Sequence, residues 1–133
     1  MLLTCRPAIA SDFSRIGLTK EVMEGTPIDG LCWAVQSYDE VMAIFGHVPF
    51  WEGTTTVWMT VKREANIPAL SFTKMCIRMM KLELSGYARI QAFVDSKSAV
   101  NNKFIRALGF TMESTMVNGN PNGGHYNVYR RLP

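Results

Sequence analysis

Residues 54–61, Thr-Thr-Thr-Val-Trp-Met-Thr-Val, are almost all β-branched or aromatic, a composition that suits a pleated strand better than a helix. From Pro68 to Leu84 the period changes. Phe72, Cys76, Met79, Met80 and Glu83 recur on one helical stripe, and Lys74, Arg78 and Lys81 on another. Pro68 suits a first helical turn, and Gly86 closes the segment. A strand that passes through a short charged loop into a long amphipathic helix calls for a layered architecture. The strand needs neighbours for its backbone, and the helix needs a sheet for its apolar stripe.

The flanking segments extend this pattern. Residues 2–6 read as a strand broken by Pro7, and Ser11 reads as the N-cap of a helix carrying Phe13, Ile16 and Val22. Gly25, Pro27 and Gly30 end that helix. Leu31, Trp33 and Val35 alternate in a strand over 31–38, Asp39-Glu40 turns, and 41–48 is the next strand. Gly46 and Pro49 mark a bulge or a sheet edge there. Residues 89–94 form an apolar strand. Val100, Phe104, Ala107 and Leu108 make a second stripe with Gly109 as its C-cap, and 110–131 are two strands around the turn 118–124. The order β-α-β-β-β-α-β-α-β-β predicts an α/β (α+β) fold with a central, mostly antiparallel sheet flanked by helices.

The 133 residues suit a single domain over 1–133, and 47% apolar against 19% charged residues argues against extended disorder. No apolar run is long enough for a membrane helix, and the start lacks the pattern of a signal peptide. Cys5, Cys32 and Cys76 are scattered without a CxxC, so a disulfide framework or a metal site is not expected; a reduced, cytoplasmic setting is. The formal charge of +3 is unevenly spread: residues 1–61 sum to −4 and residues 62–106 to +6. That clustering fits either an anionic ligand or a solvated helix face.

Together with this order, three stretches resemble the GCN5-related N-acetyltransferases, the GNAT family. The first is Arg6-Pro7-Ala8-Ile9-Ala10-Ser11-Asp12-Phe13, similar to that family's opening strand-to-helix passage. Another is Asn102 to Phe110, similar to its late helix ending in Leu-Gly-Phe. The third is the loop after Val61. In the family a Gln/Arg-x-x-Gly-x-Gly/Ala loop at the start of a long helix holds the pyrophosphate of coenzyme A with its amides and the positive end of the helix dipole. Here the pattern falls on Asn66-Ile67-Pro68-Ala69-Leu70-Ser71, with Asn66 in the Gln/Arg place and Ala69 and Ser71 in the small-residue places. Both glycines are missing, whereas Lys62 and Arg63 add charge. The resemblance implies acetyl-CoA or coenzyme A as cofactor, with Val61, Arg63, Asn66, Ile67, Ala69, Leu70, Ser71 and Phe104 as its contacts, and an amine as substrate.

Acyl transfer to an amine needs a neutral amine, an oriented thioester and a proton for the leaving thiolate. The family often uses a Glu on the strand before the loop, but residues 54–61 contain no acid and Glu52 is the nearest. Its thiolate-protonating Tyr corresponds to Ile105 here, which leaves Tyr126 or Tyr129 as substitutes; each also fits a packing aromatic with its hydroxyl at the surface. His47 and His125 are the only histidines and so the only side chains that ordinarily titrate near neutrality. Asp95 can orient an amine or simply form a turn or cap the next helix. The catalytic candidates are therefore Glu52, His47 and Tyr126, and no metal is expected.

Three functions follow from these residues. The leading one is an acyl-CoA-dependent N-acyltransferase. Another is a degenerate GNAT-like scaffold, of a kind familiar among bacteriophage proteins, that binds a host or virion protein. The least favoured is a nucleic-acid module using Lys74, Arg78, Lys81 and Arg89, because no RNA-binding motif accompanies them.

Overall fold

The computed structural model describes residues 2–17, 31–62 and 66–132. Its elements are β1 (Leu3–Pro7), α1 (Ala10–Arg15), β2 (Cys32–Ser37), β3 (Glu40–Trp51), β4 (Thr54–Val61), α2 (Ala69–Glu83), β5 (Arg89–Asp95), α3 (Ala99–Ala107), β6 (Thr111–Met116) and β7 (Tyr126–Arg131). The seven strands form one sheet in the order β1-β2-β3-β4-β5-β7-β6. β1/β2, β2/β3, β5/β7 and β6/β7 pair antiparallel. β4 and β5 run parallel, in register from Thr54↔Arg89 to Thr56↔Gln91. The sequence order of strands and helices is the expected one. The residues cluster into two compact units, Met1–Val48 with Val57–Phe72, and Pro49–Thr56 with Thr73–Pro133.

In the first unit, α1 begins two residues earlier than a Ser11 cap would allow. Ile9 is the N-cap, and Ser11 lies inside the helix. The cap works in reverse: the Asp12 carboxylate accepts the Ile9 N–H at 2.8 Å while the Asp12 N–H reaches the Ile9 carbonyl at 3.0 Å. Arg6 holds that carboxylate from β1, at 2.7 and 2.8 Å, so a fully buried acid is paired and hydrogen-bonded. α1 ends at Arg15, and Gly17 follows at φ +85°, a conformation that suits glycine. Val22, Gly25, Pro27 and Gly30 lie outside the described residues.

The core of this unit joins Ala8, Phe13 and Ile16 to Cys32, Ala34, Val41 and Ile44, with Trp58 partly buried against them. Of the alternating Leu31, Trp33 and Val35, Val35 is fully buried and the other two are half-buried, while the small Cys32 and Ala34 join the core with α1. Trp33 points to the other face, where it stacks on Phe45 and His47. Gly46 marks neither a bulge nor an edge. β3 lies between β2 and β4, and its register shift sits opposite Val35/Gln36, where Val35 pairs Ala43 and Gln36 pairs Val41. What Gly46 supplies is room: a Cβ there would fall 2.6 Å from the Leu31 carbonyl oxygen, 2.7 Å from Cys32 Cβ and 2.8 Å from Trp58 Cζ2.

In the second unit, α3 buries Asn102 and Ile105, followed by Leu108, whereas Val100 is 78% exposed and Ala107 is exposed. Of the expected stripe, Leu108 is buried and Phe104 half-buried, whereas Val100 and Ala107 face outward. A polar residue takes the inward position because its needs are met completely. Asn102 Nδ2 donates to the Asp95 and Ser98 carbonyls at 2.9 and 2.7 Å, and its Oδ1 accepts from Asn127 Nδ2 at 2.9 Å and the Tyr129 hydroxyl at 2.7 Å. Gly109 ends α3 as expected, at φ +93°, with its N–H to the Arg106 carbonyl and the Phe110 N–H to that of Ile105. Along α2, Phe72, Cys76, Met80 and Leu84 are buried, and Glu83 of the expected stripe is exposed.

Candidate functional site

The loop-to-helix segment after β4 belongs wholly to the first unit. Val61 ends β4 with its side chain 42% exposed, and the Lys62 N–H returns to the sheet at the Met42 carbonyl, 2.8 Å. The Lys62 ammonium pairs with Glu40 at 2.9 Å, so its charge is partly answered within the protein. Arg63 lies outside the described residues. Asn66 is exposed, Ile67 and Pro68 are half-buried, and α2 opens at Ala69. The Phe72 N–H reaches the Pro68 carbonyl at 3.0 Å, which makes Pro68 the residue that starts the helical ladder.

Ala69, Leu70 and Ser71 fill the first turn, and all three are exposed. A first turn has amides with no carbonyl four residues earlier to receive them, and the helix dipole adds partial positive charge. No acidic side chain stands in that turn to compensate it. Ala69 and Ser71 keep the approach to the backbone low, and Phe72 and Cys76 seat the helix by their burial. The Leu70 and Ser71 amides and the Ser71 hydroxyl suit a diphosphate, and residues 69–71 include no carboxylate.

His47 also belongs to the first unit. Its ring is buried and nearly parallel to that of Trp33, at 6.2 Å and 7° between planes, and the His47 backbone N–H donates to the Leu31 carbonyl at 3.0 Å. Alternation along β3 puts it on the face opposite the α1 core. Glu52, Tyr126 and Phe104 belong to the second unit. Glu52 is exposed in the turn between β3 and β4, beside the Phe50–Trp51 ring pair at 5.3 Å. It precedes β4, whereas Val61 ends it, and an eight-residue strand spans about 23 Å at ~3.3 Å per step. Tyr126 opens β7, half-buried beside Phe93 at 6.2 Å, and Phe104 is half-buried on α3.

Ile105, at the position of the family's tyrosine, is buried. Tyr129 is fully buried too, so its hydroxyl is not at the surface: it donates to Asn102, and the Arg106 guanidinium lies over its ring at 5.9 Å. Asp95 shapes the turn before α3, accepting from the Lys97 N–H at 2.9 Å and Asn120 Nδ2 at 3.1 Å, while Ser98 caps the helix by accepting the Asn101 N–H at 3.3 Å. His125 is exposed, and its Nδ1 accepts the Asn118 N–H at 2.9 Å, an arrangement that puts the neutral ring's proton on Nε2. Lys74, Arg78 and Lys81 are exposed on α2, whereas Arg89 is held by Glu113 at 2.8 and 2.9 Å.

Two features of the first unit carried no sequence signal. Trp58 buries its indole N–H with no acceptor among the described residues, a donor whose isolation depends wholly on the tertiary surroundings. Arg15, Ser37, Tyr38, Asp39, Glu40, Val41 and Lys62 line an open concavity of about 540 Å³. Tyr38, 81% exposed, stands there at φ +54°. Among the described residues, no cluster of three or more His, Cys, Asp or Glu is placed to hold a metal ion, and no helix is long and apolar enough to cross a membrane.

No protein-family model and no curated protein sequence matches this chain. Solved structures do. It aligns with the ribosomal-protein-S18-alanine N-acetyltransferase of Escherichia coli at TM-score 0.77 and 12% identity, covering 98% of this chain and 94% of that one. It aligns with a GNAT-family acetyltransferase of Bacillus anthracis at TM-score 0.76 and 11% identity, over 98% and 94%. A spermidine N-acetyltransferase chimera from Vibrio cholerae gives TM-score 0.74 and 11% identity, over 98% and 95%. At such identities it is the architecture that is shared, and the architecture of this chain is the GNAT fold.

Proposed function

We propose that this protein is an acyl-CoA-dependent N-acyltransferase, using acetyl-CoA and transferring the acyl group directly to an amine, and that it acts in the cytoplasm as one domain over residues 1–133. The observation that carries the reading is the first turn of α2, with exposed Ala69, Leu70 and Ser71 and no acid among them, the next element in the chain after the strand β4. The likeness in fold to N-acetyltransferases supports it. In this reading the amides and Ser71 hydroxyl of that turn hold the pyrophosphate, with Val61, Arg63, Asn66, Ile67 and Phe104 as further contacts. Acetyl-CoA would bring an activated thioester, so that holding an amine in line with it supplies most of the rate.

The acid and base are the weaker part of the arrangement, with Tyr126, Glu52 and His47 as the candidates. The neighbours act on acceptors as different as a protein's alanine and spermidine, by their names. An amine panel spanning a peptide amino terminus and a polyamine is therefore the appropriate assay. Calorimetric titration with acetyl-CoA tests the cofactor first. A saturable heat and a rise in melting temperature are expected, and neither at millimolar acetyl-CoA would overturn the proposal.

One observation favours a second reading, a degenerate scaffold of bacteriophage type that binds a host or virion protein. The tyrosine position is a buried isoleucine, and Tyr129, one of its substitutes, gives its hydroxyl to Asn102. Coenzyme A binding without product across the amine panel is the outcome expected of that reading, and turnover excludes it.

A further inference from the structure

The two edges of the sheet are guarded very differently. β1, at one edge, is five residues long, ends in Pro7, and carries Arg6 folded back onto Gln36 and Asp12. Short length, proline and charge are the usual means of keeping an edge from pairing with other chains. β6, at the opposite edge, is six residues long, has no proline, and carries one charge that the protein itself pairs. Its sequence Thr-Met-Glu-Ser-Thr-Met contains no lysine, arginine or proline, and all six residues are exposed. Its one protective feature is a register shift between Met112 and Ser114, opposite Tyr129/Val128 of β7. Its single charge, Glu113, is held by Arg89 at 2.8 and 2.9 Å and by Arg130 Nε at 3.0 Å.

We propose that the outer edge of β6 is a docking site for an extended acidic polypeptide segment, which adds to the sheet as an eighth strand. The proposal is independent of the acyltransferase reading. Backbone N–H and C=O groups of β6 that face away from β7 supply the pairing, which any extended chain can meet. Specificity comes from what flanks them. Register with β7 puts Met112, 45% exposed, on the face of Tyr129, and Met116, 42% exposed, on the face of Tyr126. Each offers an adaptable apolar contact, one on either side of the added strand. The Arg130 face also holds Arg89, and only one carboxylate, Glu113, answers the two guanidinium groups.

Charge decides between possible occupants. The unit that contains β6 carries Glu52, Glu83, Asp95 and Glu113 against Lys74, Arg78, Lys81, Arg89, Lys97, Lys103, Arg106, Arg130 and Arg131. A second copy would bring the same cationic excess to the edge and place one Glu113 near another. A segment that alternates acidic and apolar residues would instead set its carboxylates toward Arg130 and Arg89 and its apolar side chains on the other face.

The test uses the full chain and an acetylated, amidated decapeptide of alternating Glu and Val, titrated by calorimetry at low and high salt. Saturable binding is expected, weakening with salt as exposed charge pairs are screened. The same peptide N-methylated on alternate residues keeps its charge but loses one row of donors, and it should bind about tenfold more weakly or not at all. Met112→Glu combined with Met116→Glu changes two exposed side chains, so its melting temperature should match the parent's while affinity falls about tenfold. Absence of binding at millimolar peptide overturns the proposal, and so does equal binding of the N-methylated peptide, which would reduce the contact to charge alone. Dimerisation of the chain that protects β6 amides from hydrogen exchange overturns it in favour of a second copy.

Discussion

The Asp12 carboxylate sits wholly buried beneath Arg6 and takes both of its terminal guanidinium nitrogens, at 2.7 and 2.8 Å. Those hydrogen bonds hold Asp12 below the usual carboxylate range, against the opposing effect of burial. Asp12→Asn is expected to lower the unfolding free energy by about 2–3 kcal/mol, less than the ~3–5 of a fully buried pair because the Arg6 side chain is 34% exposed. The native pKa is depressed, so the stabilisation is complete above the ordinary carboxylate range and fades as pH falls through the native value. Urea unfolding from neutral to strongly acidic pH checks this: the gap between parent and variant should narrow on acidification.

Gly46→Ala should be among the most damaging single-methyl additions in the first unit. Its Cβ would meet a backbone carbonyl oxygen at 2.6 Å and Cys32 Cβ at 2.7 Å, neither of which can swing aside. Overpacking of this sort costs about 1–3 kcal/mol, and the backbone contact argues for the upper end. A melting temperature equal to the parent's would contradict the close approach of β2 to β3.

Tyr129→Phe and Tyr126→Phe separate structure from chemistry. The first removes a buried hydroxyl from Asn102 Oδ1, which keeps Asn127, so a loss of about 1 kcal/mol in stability is expected with turnover unchanged. The second removes the hydroxyl proposed as the proton donor, and should reduce kcat by roughly a hundredfold if general acid catalysis runs through it. The reverse pattern would move the acid to Tyr129.

Ser71→Asp should shift two measurements in opposite directions. An acid in the exposed first turn of α2 complements the helix dipole and should leave stability unchanged or raise it by about 0.3–1 kcal/mol. The same charge repels a pyrophosphate, so coenzyme A affinity should fall. Ala69→Val, which crowds the approach without charge, should weaken binding less. Parent-like affinity in both variants would mean that the cofactor binds elsewhere.

Much of the architecture was legible in the sequence because it rests on patterns that tertiary context seldom overturns. The β-branched run 54–61 is β4 to the residue, and the stripe from Phe72 to Met80 is buried as periodicity predicted. The misread elements share a cause: size and polarity are poor guides where packing or hydrogen bonding is specific. In β2 the small Cys32 and Ala34 pack against α1 and Val35 is fully buried too, whereas the larger Leu31 and Trp33 are only half-buried. Asn102 is buried because four partners converge on it, two of which, Asn127 and Tyr129, are distant in sequence. Ser11 lost the cap to a carboxylate that Arg6 orients from another strand, a contact no local pattern contains. For the candidate site, the start of α2 could be located from Pro68 and the loop pattern. The surroundings of Glu52, Tyr126 and Tyr129 depend on register, which the sequence does not encode locally.

With both hydrogens and both lone pairs of its amide engaged, Asn102 has nothing left to trade. A slide of α3 along β7 would break several buried hydrogen bonds at once, so helix, strand and the turn at Asp95 should travel as one rigid piece. If binding reshapes this half of the molecule, the give must come from the hairpin loop beyond Met116 or from α2, and α3 should behave as the fixed wall against which they move.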